Sequence, residues 1–436
     1  MQTRNRIAFL TCTLSLVACD FDAVGAANSN KPSRMREALS LALIEHRGES
    51  ALDADIRDVQ TRIESDIASS GRADVLVEKL AWMFVAKARE AHDDGFYRIA
   101  RACGNALCLA GESRPSGLLI RGHAAQSMHE FVDAERIARE LIGMRGNPFD
   151  WGLLGDVLVD RGAVVEASEA YQRMLDLRPC LQSYVRAGHV RWLAGDIDGA
   201  LELFENAVAA GSRRAPEALA WALTGLARLA FHRHDLERAR KWASEALSTF
   251  EASPGALLVR AAIANELGRT RDAIVDLERA VEYAPLPEYR WALADTLRAS
   301  GDESRARSVE SSLEASGSRD DPRTFALYLT TRNRRLDDAH GLLERELEQR
   351  CDAMTKSAMA FALSRRGNYA EAWTMSQEVL ATGNPDARLL LHGALVARAA
   401  NASPDEVQDL VKRVRAVQHV LFPSERTLLR KSFGDS

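Results

Sequence analysis

The chain has 436 residues, with 57 Lys and Arg against 62 Asp and Glu, a formal net charge of -5. That balance gives no basic footprint for nucleic acid, and the two signs are interspersed rather than gathered in blocks, as on solvated helix faces. Hydrophobic residues make up 46% of the chain but aromatics only 6%, which suits many small helix–helix contacts better than one bulky core.

In chain order, the first feature is an export-type start. Arg4 and Arg6 precede an uncharged run from Ile7 to Ala18, too short for the roughly 20 residues that span a bilayer as a helix. The run ends in Leu16-Val17-Ala18-Cys19, which resembles the lipobox of bacterial lipoproteins. The resemblance implies a signal peptide with lipobox over residues 1–19, cleavage before Cys19, acylation of that cysteine, and a lipid anchor at the cell envelope, facing the periplasm or the exterior. Asp20 resembles an inner-membrane retention signal. Residues 20–33 are rich in small and polar types, as a flexible tether requires. Competing readings are a secretory signal cut near residues 23–27, and a hydrophobic start retained on a cytoplasmic protein.

Residues 34–69 read as two helices, the second with an apolar stripe at Leu52, Ile56, Val59, Ile63 and Ile67. With residues 73–110, a degenerate hairpin around Gly95 whose second helix is interrupted by Gly104, they form an N-terminal cap over 34–114. From there a repeat governs the chain. Ala100, Ala134, Ala167, Ala200, Ala239, Ala273, Ala306, Ala339 and Ala372 are separated by 34, 33, 33, 39, 34, 33, 33 and 33 residues. Five residues before each stands a residue suited to a tight bend: Gly95, His129, Gly162, Gly195, His234, Gly268, Gly301, Arg334 and Gly367. The longer gap contains Gly211 to Pro216, an inserted loop or an extra helical turn. Array residues 115–384 are followed by a capping hairpin at 385–422, where Ser403, Pro404 and Glu406 make a capping box. Residues 423–436 read as a short tail.

The clearest unit is Trp151-x2-Leu154-Gly155-x2-Leu158, followed by Gly162, Ala167, Tyr171 and Pro179. It resembles the tetratricopeptide repeat, and the period agrees. The small residues at its eighth position, such as Gly122, Gly155 and Gly188, admit close approach of the paired helices. The fold expected is all-α, a right-handed superhelical solenoid of antiparallel helix hairpins. Residues 149–306 are similar to a group of bacterial tetratricopeptide proteins of unassigned role.

The resemblance implies a binding groove lined by the first helix of each hairpin. Carried onto this sequence, the inward positions give His123, Asp156, His189, Trp192, Arg228, Phe231, Asn265, Trp291, Asp295, Arg298, Tyr328 and Arg332, together with Gln126, Trp221, Phe361 and Arg365. Aromatics and arginines are the residues that binding hot spots use, although Trp221 and Phe361 serve equally well as packing between helices. The clamp that holds chaperone C-termini needs Lys and Asn where this chain has Gly152 and Asp156, then Val185 and His189. The partner expected is a protein or peptide in the groove of a non-enzymatic scaffold; the alternatives are a cytoplasmic regulatory adaptor and an accessory subunit of an enzyme or transporter.

No catalytic residue, cofactor or metal site is expected. His232, His234 and Asp235 sit at a bend without further ligands nearby in sequence, and no nucleophile elbow, phosphate loop or dinucleotide fingerprint is present. Cys103, Cys108, Cys180 and Cys351 have no zinc spacing and read as small packing residues.

Overall fold

The computed structural model describes residues 31–434 except 70–72, 92 and 110. The expected signal segment, Cys19 and most of the tether therefore lie outside the described residues. The described chain is an all-α, right-handed solenoid of antiparallel hairpins.

Two helices, α1 (Lys31–Ala38) and α2 (Ala51–Ser69), precede the hairpins. Ile56, Val59, Ile63 and Ile67 of α2 are all buried, as the stripe predicts. The cap is pinned by Asp53, which is buried and takes hydrogen bonds or ion pairs from His46, Ser50 and Lys87. Ten hairpins follow. The first is α3 (Asp74–Ala91) with α4 (Gly95–Leu109), and the second α5 (Arg114–Ser127) with α6 (Phe131–Met144). Next come α7 (Pro148–Asp160) with α8 (Val164–Leu177), then α9 (Leu181–Leu193) with α10 (Ile197–Ala209). They continue with α11 (Pro216–His232) and α12 (Leu236–Thr249), and α13 (Pro254–Glu266) and α14 (Thr270–Tyr283). The last four pair α15 (Pro287–Ala299) with α16 (Glu303–Asp320), α17 (Pro322–Thr331) with α18 (Leu336–Gln349), α19 (Ala353–Arg365) with α20 (Tyr369–Ala381), and α21 (Ala387–Ala399) with α22 (Pro404–Ala416).

All nine periodic alanines have no exposed surface. Each lies where two helices of a hairpin meet, and a larger side chain there would push them apart. Gly155 shows how close the approach is: a Cβ built on it would stand 2.2 Å from the Tyr171 ring. Seven of the nine bend residues adopt left-handed backbone, with φ 79° at Gly162 and 62° at His129, whereas Gly95 opens α4 without it. Between α17 and α18 the left-handed residues are Asn333 and Arg335, on either side of Arg334.

Three features differ from the sequence-based expectations, and the long gap combines both forms expected of it. The Gly104 position does not interrupt α4; it is buried where α4 and α5 cross, with Gly117 opposite. The long gap is absorbed by a turn at 212–215 and by α11, which has 17 residues against 13 in α9 and α13. Of the four cysteines only Cys103 is buried, and Cys351 is exposed.

The third difference is the tail. Residues 423–433 form a helix, α23 (Pro423–Phe433), preceded by a single 3-10 turn at Gln418–Val420. Pro423 occupies the first helical position, and the Glu425 carboxylate accepts the Phe422 backbone N–H at 2.8 Å. Eleven residues are too few for a stable isolated helix in water, so docking must hold this one.

The superhelix turns tightly enough to meet itself. Arg350, in the link after α18, lies 3.0 Å from His129 Nε2 and 3.5 Å from Asp160. A Cβ on Gly162 would stand 2.5 Å from the Cys351 carbonyl oxygen, and one on Gly195 2.7 Å from that of Gly383. The His232 ring bonds the Pro385 carbonyl at 3.0 Å. The bends of the early hairpins thus rest on the links between late ones.

Candidate functional site: the inner groove

The first helices stand side by side on the inner wall, and their inward side chains connect neighbour to neighbour. Asp156 on α7 takes a two-point contact from Arg186 on α9, at 2.8 and 2.7 Å, and the Tyr171 hydroxyl at 2.8 Å. Gln126 on α5 donates to Asp160, and Asn265 on α13 donates to Thr296 on α15. Arg332 at the end of α17 reaches both Asp295 on α15 and Glu310 on α16. Apart from the Tyr171 bond, which stays within its hairpin, and the Arg332–Glu310 pair, these links span 30 to 37 residues, about one repeat, and hold successive hairpins in register.

Ser357 on α19 and His392 on α21 continue the series at 2.9 Å. The imidazole stacks on Phe361, with centroids 4.6 Å apart, and burial pushes it down to about 3, helped by Arg388 and Arg365. An imidazole that stays neutral when folded but protonates near 6.5 when unfolded contributes stability that is complete above pH 6.5 and lost as pH falls towards 3. We expect about 2 kcal/mol to be lost from this group between pH 6.5 and 5. Urea unfolding of the wild type and of His392→Gln at both pH values checks this; an undiminished pH slope in the variant would assign the loss elsewhere.

The two halves of the groove differ. In the N-terminal half, His189 and Arg228 are exposed and His123 and Trp192 half-buried. His123 packs against Trp82 with ring centroids 5.6 Å apart, and burial pushes its imidazole down to about 4. Trp192 meets the edge of His232 at 4.7 Å. No ion pair involves Arg228 among the described residues.

In the C-terminal half, α23 and the turn before it lie on the inner wall, against α11, α15 and α17. Phe422 sets its ring 5.2 Å from that of Trp291 in an edge-on arrangement, and the Arg388 guanidinium lies above both rings, 4.4 Å from the Phe422 centroid. The Trp291 indole N–H donates to Ser424 Oγ at 3.1 Å, and the Ser424 backbone N–H and hydroxyl both donate to Asp295. Glu425, which is 1% exposed, pairs with Arg388 at 2.8 Å. Arg426 reaches Glu266, and the His419 ring bonds the Phe231 carbonyl at 2.7 Å. Burial pushes the Asp295 and Glu425 carboxyls above their ordinary range, while Arg332 and Arg388 respectively pull them back.

The inward residues named from the sequence therefore have different places. His123, Asp156, His189, Trp192 and Arg228 line the open half. Phe231, Trp291, Asp295 and Tyr328 are buried, the first three against the C-terminal segment. Asn265 and Arg332 serve as bridges between hairpins, and Arg298 is held by Glu303 and Glu310 of its own hairpin. Trp221 is 57% exposed. Arg186, Arg388, Phe422, Ser424 and Glu425 escaped the sequence reading because their partners lie 30 to 133 residues away, and no local pattern announces them. His232 and His234 diverge, one towards Pro385 and the other towards Glu266 and His419. Among the described residues no three His, Cys, Asp or Glu side chains gather as a metal site.

No family model matches the chain, and no characterised protein matches it in sequence. Solved structures similar in build include the human IFIT1 dimer with PPP-AAAA, 14% identical with TM-score 0.47 over 92% of this chain and 96% of that one. The APC/C hetero-tetramer Cut9–Hcn1 is 13% identical with TM-score 0.36, over 91% and 99%. MamA is 16% identical with TM-score 0.31, over 37% and 93%. None of these likenesses carries a functional argument; the helical repeat fits the tetratricopeptide type in its period and bends.

Proposed function

We propose that the protein is a non-enzymatic scaffold that holds a peptide or extended protein segment in the N-terminal half of its groove. The observation that carries this reading is the contrast between the halves: one covers its aromatic and charged inner wall with a segment of chain, and the other leaves His189 and Arg228 exposed and Trp192 half-buried. Trp192 supplies contact area, and Arg228 supplies a cation suited to an acidic residue on the partner.

Acylation of Cys19 would place this groove at a bacterial membrane surface, where two or more acyl chains give lasting attachment at about 0.8 kcal/mol per buried CH2. Intact mass decides that part. A mature protein beginning at acylated Cys19 in the membrane fraction supports the envelope reading, and an unprocessed Met1 in the soluble fraction makes a cytoplasmic adaptor the better one.

The groove is tested by titrating hits from a random peptide array against the full chain. A micromolar ligand corresponds to roughly -8 kcal/mol. The double variant Trp192→Ala, Arg228→Glu should weaken such a ligand by about thirtyfold, near 2 kcal/mol, as expected for hot-spot residues. Hits that bind the variant unchanged would move the site off this wall.

A further inference from the structure

We propose that residues 417–433 are a built-in occupant of the C-terminal half of the groove, displaced by a partner segment of the same chemistry: an aromatic residue followed by a helix start carrying Ser or Thr and then Glu. The proposal deepens the scaffold reading and rests on it, but it concerns a different stretch of wall.

Three observations support it. First, the segment reaches well beyond the last hairpin. That hairpin has a cluster of Ala394, Ala397, Leu410 and Val411, flanked by Phe433 of the segment, and α22 is closed at its start by the Ser403–Glu406 capping box. Leu421 and Leu429 pack against Ala387, Leu390, Leu391 and Val414 of the same hairpin, but a strut that only finished the solenoid would stop there; α23 also lies on the inner wall against α15 and α17, about a hundred residues or more earlier in the chain.

Second, the wall under the segment carries charged groups beside its aromatic and aliphatic ones. Asp295, Arg332 and Arg388 have partners within the solenoid, Asp295 with Arg332 and Arg388 with Glu288. When the segment leaves, these charges remain paired and become hydrated. Burying such groups under the segment carries a desolvation cost that offsets much of the attraction between them, so closure is held by a modest difference of large terms.

Third, recognition is specific rather than a general apolar fit. The Phe422 ring fills the space between Trp291 and Arg388, Ser424 matches Asp295 with two donors, and Glu425 matches Arg388. Helix capping and groove recognition use the same residues, because Glu425 holds the Phe422 N–H with one oxygen and Arg388 with the other. A partner segment reproducing these groups would make the same contacts. Tethering gives the chain's own copy an effective concentration in the millimolar range, so a segment of about 10 µM intrinsic affinity would keep the groove closed in all but about one molecule in a hundred.

The test uses a fluorescent synthetic peptide of residues 417–433 and the full-length chain. Ser424→Asp places a carboxylate against Asp295 and detaches the chain's own segment without touching the wall. Peptide binding to this variant should be at least about fiftyfold tighter than to the wild type, and Arg388→Ala added to Ser424→Asp should abolish it. Phe422→Ala is the second opening variant. If either opening variant keeps its helical content and cooperative unfolding yet binds the peptide no better than the wild type, the proposal is overturned. It is equally overturned if both variants lose cooperative unfolding, since the segment is then a structural strut. Both failures leave the Trp192 and Arg228 test untouched, so loss of this proposal and loss of the scaffold reading are distinguishable.

Discussion

Replacing Trp291 by alanine is expected to lower the stability of the C-terminal half by about 3–5 kcal/mol, the usual range for deleting a fully buried tryptophan. Its position among the inward residues suggested a contact for a partner, whose loss would weaken binding and leave the fold alone. The structure gives it another role. Trp291 has no exposed surface, its ring stands 5.9 Å from Tyr328 and 5.2 Å from Phe422 in edge-on pairs, and Arg388 covers it at 5.2 Å. Removing it leaves a hole bounded by two aromatic rings and a guanidinium, none of which collapses easily. It also removes the indole donor to Ser424, although that hydroxyl keeps its bond to Asp295. Trp291→Phe, which preserves most of the ring volume, should cost much less. Urea unfolding followed by circular dichroism separates the two variants. A Trp291→Ala chain with the wild-type midpoint would mean that the indole is not packed as described.

The contrast between Trp291 and Trp192 shows what the sequence could and could not reveal. Both stand on first helices at positions that face inward in a tetratricopeptide array, and nothing local separates them. Their fates diverge because residues 419–424 return to the wall beside Phe231 and Trp291 but not beside Trp192. The array itself was legible because its determinant is local and repeated: a small residue where two helices touch and a left-handed bend five residues earlier recur in unit after unit, and all nine alanines are buried. The segment after residue 416 has no such repetition. Its cap uses Phe422 in place of a Ser or Asp, so the usual helix-start signal is missing. The pairing of Asp156 with Arg186 is hidden in the sequence for a related reason: one repeat separates residues that the fold puts 2.7 Å apart.

Gly117→Ala should be among the more damaging single methyls that can be added to the N-terminal half. Alanine is favoured over glycine inside a helix by about 1 kcal/mol, so an exposed glycine in the same role would gain from the change. At Gly117 the new Cβ would lie 2.6 Å from the Gly104 carbonyl oxygen and 2.9 Å from the Cys108 backbone nitrogen. Neither neighbour is the end of a flexible side chain, so α4 and α5 must move apart as units. Overpacking of this kind typically costs 1–3 kcal/mol, and contact with backbone places this case near the upper end, enough to outweigh the gain in propensity. Gly143 in α6 is the matched control, because a Cβ there meets nothing within 4 Å; Gly143→Ala should leave stability unchanged or raise it slightly. In a solenoid each hairpin leans only on its neighbours and on the seam, so damage at one interface divides the array instead of lowering all of it equally. Gly117→Ala should therefore release residues 31–109 in an early transition, visible as faster amide exchange in α2, α3 and α4 while α13 to α16 keep their protection. Uniform loss of protection along the chain would show that the superhelical seam, rather than contact between neighbouring hairpins, governs how the protein unfolds.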